Sequence, residues 1–234
     1  MNSLKKLFLN VFSIIIILFI LTSCNSIAPP SPSGSVQKIE IPVGFDKDYF
    51  EEICFKKEFS SNGYHDLYRW VDNPKIFLIN PPTEEKRKMC EDKIDELAKF
   101  TNYILSPKIV DNINSANITV EWCVLEEIPQ QQVGCFYITQ ENDIIYNAEV
   151  LLFKDLDSIL TKHNFLEEVG GALGVTNDSY KYINSIFYDG ANQSTNFTIE
   201  DLTVGNLLYQ LEPNTTLSEF EEIFENSTKQ LFFF

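Results

Sequence analysis

The feature that most constrains this chain is a pair of adjacent glycines, Gly170 and Gly171, inside a stretch from Leu156 to Leu173 that otherwise reads as helix. Each glycine costs a helix interior about 1 kcal/mol relative to alanine. A helix that keeps two of them is predicted to have another backbone close by, most simply through packing on a sheet. Gly174 reads as the helix stop, and Asn177-Asp178-Ser179 as the turn that follows.

The preceding segments supply that sheet. Phe45 to Phe59 mixes acidic pairs with aromatics and suggests a short helix lying against the body. Ile76 to Ile79 is a short apolar strand ended by Asn80-Pro81-Pro82. Thr83 caps a helix with early acidic charge, and Met89, Ile94, Leu97, Ala98 and Tyr103 form its apolar stripe. Asn117 to Cys123 alternates as a strand, and Gly134 to Thr139 and Ile144 to Phe153 are two more, joined by the polar turn Gln140 to Asp143. Strand, long helix, strands and a second helix are the order of an α+β domain with a mixed sheet resting on both helices. Residues 40–234 are one domain's worth of chain.

The first 24 residues bear on location. Lys5 and Lys6 precede an apolar run from Leu7 to Leu21, and Leu21-Thr22-Ser23-Cys24 has the form of a lipobox. The run falls short of the roughly 20 residues a spanning helix needs. Residues 1–23 are therefore expected to be a lipoprotein signal peptide, with Cys24 lipidated and palmitate-bearing, and residues 24–39, with Pro29, Pro30 and Pro32, to be a flexible tether. The expected home is the bacterial cell envelope, at the outer membrane if the cell has one. Loss of Lys5 and Lys6 leaves 16 of the 18 Lys and Arg against 34 Asp and Glu, a net charge of −18. Such a surface repels nucleic acid and anionic lipid, so attachment is left to the acyl chains.

Four further cysteines, Cys54, Cys90, Cys123 and Cys135, are an even count in a compartment that permits disulfides. The pairings favoured are Cys123 with Cys135 and Cys54 with Cys90; four buried free thiols are the alternative. The closing Leu231-Phe232-Phe233-Phe234 is expected to dock on the body, with a partner or the bilayer as the alternative.

The residues of the second helix carry a resemblance. Leu166-Glu167-Glu168-Val169-Gly170-Gly171-Ala172-Leu173-Gly174-Val175-Thr176-Asn177 resembles the zinc-binding pattern H-E-x-x-H-x-x-G-x-x-H of metzincin peptidases with each histidine replaced, by Glu167, Gly171 and Asn177. Glu168 stands at the general-base position and Gly174 at the turn. Ser185-Ile186-Phe187-Tyr188 resembles the S-I-M-Y turn of that fold with Phe187 in place of methionine, and Thr198 to Tyr209 resembles the capped last helix of the matrixin branch, with Asp201 closing a capping box. The run of Glu167-Glu168, Leu173-Gly174, Asn177-Asp178-Ser179, Ser185-Ile186-Phe187 and Leu208-Tyr209 also resembles an uncharacterised bacterial domain family that shares this histidine-free version, with its motif core at 166–209.

The resemblance implies a zincin-like fold with a motif helix and C-terminal helices. The departures argue against zinc, because Gly171 has no side chain to offer and Glu167 and Asn177 alone make a weak site. No cofactor is expected, and Glu168 without a metal is an ordinary solvated or capping carboxylate. Only a His163 with Glu167 pair, one helical turn apart, has metal-binding geometry, and a half-buried imidazole is the simpler reading. Gly171 is expected to open the old metal position for Phe187 or another aromatic to fill. A cleft that keeps its shape without its metal points to a non-catalytic binder of peptide or protein at the envelope, with Ala148 to Phe153 as the edge strand that receives the ligand. A hydrolase with an atypical site built on Glu168, or a purely structural lipoprotein, are the other readings.

Overall fold

The structure is a computed structural model, and it describes residues 39–42, 45–57, 63–129 and 132–231. The expected signal segment, Cys24, the tether as far as Lys38 and Phe232 to Phe234 lie outside the described residues.

Helix α1 (Lys47–Phe55) begins at Asp46, whose side chain accepts from the Tyr49 amide. Strand β1 (Arg69–Trp70) and β2 (Lys75–Ile79) follow. The expected long helix is two short ones, α2 (Glu84–Glu91), capped by Thr83, and α3 (Ile94–Phe100). They part where the Lys93 amide turns to Cys90 O, three residues back instead of four, which tightens the helix at Asp92-Lys93. Then come β3 (Lys108–Ile109), β4 (Ile118–Cys123), β5 (Gly134–Glu141) and β6 (Ile144–Phe153). Helices α4 (Ser158–Ala172), α5 (Ile199–Gln210) and α6 (Leu217–Leu231) complete the chain.

The six strands form one mixed sheet in the order β1-β6-β4-β2-β3, all parallel, and β5 lies antiparallel on β6. Asn142 and Asp143, both at positive φ, make the tight turn between β5 and β6. Strand β6 is therefore interior, with β4 on one side and β5 on the other, and the edge next to α4 belongs to β5 instead of Ala148 to Phe153. Ile76, Leu78, Ile118, Val120, Ala148, Val150 and Leu152 alternate onto the buried face, where Phe165, Leu166, Val169 and Ala172 of α4 join the same core.

No disulfide joins Cys54, Cys90, Cys123 and Cys135, so the expected bridges do not form. Cys123 pairs in register with Phe153 and Cys135 with Leu151, so the whole width of β6 separates them. Two strand spacings are about 9.6 Å, beyond the roughly 7 Å a disulfide tolerates between Cα atoms. Cys54 is sealed in the core on α1 and Cys90 is buried on α2. Burial pushes both thiols up, Cys90 to about 12, which makes them poor nucleophiles.

Candidate functional site: a cleft between the motif helix and the sheet edge

Helix α4 starts at Asp157, whose carboxylate accepts from the Ile159 and Leu160 amides, and ends under two side chains from elsewhere in the fold. Trp70 Nε1 donates to Ala172 O and the Tyr209 hydroxyl to Leu173 O, each at 2.8 Å, so carbonyls at the helix end are satisfied in the core. Gly174 then turns at φ 120, and a side chain there would also strike Tyr68 O. This is the helix stop read in the sequence, for the stated reason.

The two helical glycines have different neighbours. A Cβ on Gly170 would lie 3.0 Å from Phe187 Cζ, and Phe197 stands next to it. A Cβ on Gly171 would run into the ring of Phe136 from β5. The ring over Gly171 is thus Phe136, an aromatic other than Phe187, which is buried under Gly170, and the space beside them is an open cleft rather than the core expected.

That cleft has a volume of about 750 Å³. One wall is β5 from Gly134 to Ile138, the other is Glu167, Glu168 and Gly171 of α4 with Val175 to Asp178 after it, and Lys57, His65 and Tyr68 also line it. Glu168 is buried, 8% exposed, with its carboxylate pressed against Gly134, where any side chain would displace it, so it is not a solvated glutamate. Glu167 lies at the rim with Oε2 3.5 Å from Nε2 of His163. His163 gives its Nδ1 hydrogen to Ser194 O at 2.8 Å, and burial lowers its pKa below the ordinary imidazole range, so it stands neutral beside that carboxylate. Asn177 turns its amide nitrogen to Glu52 O at 3.2 Å and Asp178 O at 2.8 Å.

These residues do not fit zinc. Of the positions that the motif resemblance gives to ligands, Gly171 has no side chain and lies under a phenyl ring, and Asn177 is bonded to the backbone of α1. Among the described residues no group of three or more His, Cys, Asp or Glu is placed to hold a metal ion.

The turn at Ser185 to Tyr188 is built on Asp201. Its carboxylate accepts from Ser185 Oγ at 2.6 Å, the Ile186 amide at 3.0 Å and the Thr198 amide at 2.9 Å, and the Tyr49 hydroxyl lies 3.3 Å away. Asp201 is fully buried, and burial raises its pKa against the pull of those hydrogen bonds. Helix α1 is stitched to the same region: Lys181 and Tyr182 bond the Asp46 carboxylate, Ser179 Oγ donates to Glu52 at 2.5 Å, and the Thr176 amide donates to Ile53 O.

Three participants escaped the sequence. Gly134 and Phe136 seat Glu168 and cover Gly171, and only their alternation at the start of a strand hints at a common face. Asn164, one turn before Glu168, is buried with both side-chain polar atoms unpartnered, and nothing in the pattern of α4 marks it.

No curated protein matches the chain in sequence. Solved structures similar to it include a crystal structure of myroilysin, with TM-score 0.42 and 10% identity over 68% of this chain and 92% of that one. A second myroilysin structure gives TM-score 0.40 and 12% identity over 73% of this chain and 96% of that one. The family model described as "Protein of unknown function (DUF2927)" matches residues 46–226, and the chain belongs to that family.

Proposed function

We propose that this is a lipid-anchored envelope protein whose metzincin-like domain has given up metal chemistry and binds an extended polypeptide in the former substrate cleft. The observation that carries the reading is the combination of an open cleft with an unpaired strand edge along its wall. The Phe153 amide donates to Val133 O, which sets the ladder: Val133, Cys135 and Tyr137 turn their backbone groups to β6. By the alternation of an antiparallel pair, Gly134, Phe136 and Ile138 turn theirs outward, and among the described residues no strand pairs there. An added strand would take up those groups.

Glu168 has no metal-bound water to activate in this reading, and its packing on Gly134 supports a structural role. The lipid anchor is supported by Leu21 to Cys24 and the apolar run before it.

Fluorescence anisotropy of the full chain in detergent, against a library of labelled ten-residue peptides, tests the reading. Peptides are expected to bind, and N-methylation at alternate backbone positions of a bound peptide is expected to weaken it about tenfold or more through lost ladder hydrogen bonds. No binding by any peptide, or stoichiometric metal in protein purified without chelator together with hydrolysis abolished by Glu168→Gln, would overturn it. Radiolabelled palmitate should enter the wild-type chain and not Cys24→Ala.

A further inference from the structure

We infer that Tyr137 is a specificity residue of the β5 edge, on the side of the sheet away from α4. The peptide preferred there carries an aromatic or β-branched residue beside the Tyr137 ring, followed directly by an apolar residue over Phe136. This specificity rests on the peptide-binding reading above. The alternation of β5 puts its side chains on two faces. Phe136 and Ile138 pair in register with Val150 and Ala148, which belong to the buried face. Cys135 and Tyr137 pair with Leu151 and Glu149, and so stand on the face turned from α4. Tyr137 is 49% exposed there. Its side chain shares a hydrogen bond with Cys135, two residues back on the same face, which lays the ring along the strand at the open edge.

An added strand meets Tyr137 at close range. The backbone groups of Tyr137 turn to β6, so in an antiparallel addition, the more stable direction, the residue opposite it forms a non-hydrogen-bonded pair. Such pairs bring Cα atoms to about 4.5 Å, against about 5.5 Å for the hydrogen-bonded pair at Phe136. An aromatic or β-branched side chain at that position covers the exposed ring, and cross-strand pairs of this kind are stronger than alanine pairs. Because successive side chains alternate, the next residue of the peptide faces Phe136, which lines the cleft with Val175 and Tyr68. Two adjacent residues therefore straddle the sheet, and the recognised class is a segment of high strand propensity.

The experiment is anisotropy on the full chain in detergent with three labelled peptides of one Ser/Thr host that carry Tyr-Leu, Ala-Leu or Tyr-Ala at the centre. Tyr-Leu is expected to bind about threefold tighter than Ala-Leu. Tyr137→Ala should bring that ratio to about one, whereas Tyr137→Phe, which keeps the ring, should preserve it. A ratio taken within one variant cancels any general loss of affinity. The advantage of Tyr-Leu over Tyr-Ala, also about threefold, belongs to the Phe136 side and should persist in Tyr137→Ala. Tyr146 is the control: it is 53% exposed but sits on interior strand β6, left unpaired between Ile145 and Asn147, so Tyr146→Ala should change neither ratio. Equal binding of Tyr-Leu and either alanine peptide, a Tyr-Leu to Ala-Leu ratio that Tyr137→Ala leaves intact or Tyr146→Ala removes, or binding by the peptide library with none by Tyr-Leu, overturns the inference while the peptide-binding reading stands. Failure of these peptides and of the library removes both.

Discussion

Gly171 shows how one residue serves packing and function together. Alanine would favour the helix by about 1 kcal/mol, but its methyl group would collide with Phe136 at a cost of about 1–3 kcal/mol. The collision outweighs the helix gain, because the Phe136 ring packs against the core and gives up that contact if it swings toward the cleft. Gly171→Ala is expected to destabilise the fold by about 1 kcal/mol in urea titration. In a Phe136→Ala background the same change should be neutral or stabilising, since only the helix term remains. A stabilised Gly171→Ala single variant would mean that Phe136 does not sit on this glycine. The glycine pair was conspicuous in the sequence, but its partner was not, because the ring comes from a strand more than 30 residues away.

At the scale of elements, Asp201 joins α5 to the Ser185–Tyr188 turn and to α1. Its role as a helix cap was legible, since Thr198 and Asp201 stand three apart at the start of an apolar run. Its second role, holding Ser185 Oγ and the Ile186 amide, depends on the turn folding back onto the helix. The two roles separate by mutation. Thr198→Ala removes a cap and should cost about 1 kcal/mol. Asp201→Ala strands buried donors from three segments and should cost about 3 kcal/mol or more in denaturant titration. Equal costs would show that the turn stands without the carboxylate. Four of the six strands, β2, β4, β5 and β6, were read almost to their ends, whereas the two-residue strands β1 and β3, the division of the first helix and the position of β5 outside β6 were not. Alternation reports which face of a strand is buried, and it is silent on which strand lies beside it.

For the whole molecule, the two histidines set the acid limb of stability. Burial lowers the pKa of both His65 and His163 below the ordinary imidazole value. Each is neutral in the fold, while the unfolded chain takes up its proton below about pH 6.5. The stabilisation is complete above that pH and is lost as pH falls below it, because the unfolded state then binds more protons. The urea midpoint is expected to drop between about pH 7.5 and about pH 5.5, and a His65→Gln, His163→Gln double variant should flatten the drop. Asp201, with its raised pKa, works in the opposite direction, so an unchanged slope in the double variant would assign the acid response elsewhere.

The sequence by itself determined β2, β4, β5, β6 and the capped helix ends, because caps, glycine stops and apolar periodicity act within a few residues: Thr83, Asp201 and Gly174 do what their local chemistry dictates. It also put Glu167, Gly171 and Asn177 where the motif resemblance looks for histidines, a matter of side-chain identity alone. Only the tertiary structure decided what replaces them. The seat of Glu168 on Gly134, the ring of Phe136 over Gly171, the turn of Asn177 toward α1 and the separation of Cys123 from Cys135 by β6 all depend on strand order. Strand order follows from the burial of the whole sheet, a sum over distant residues that no local pattern contains.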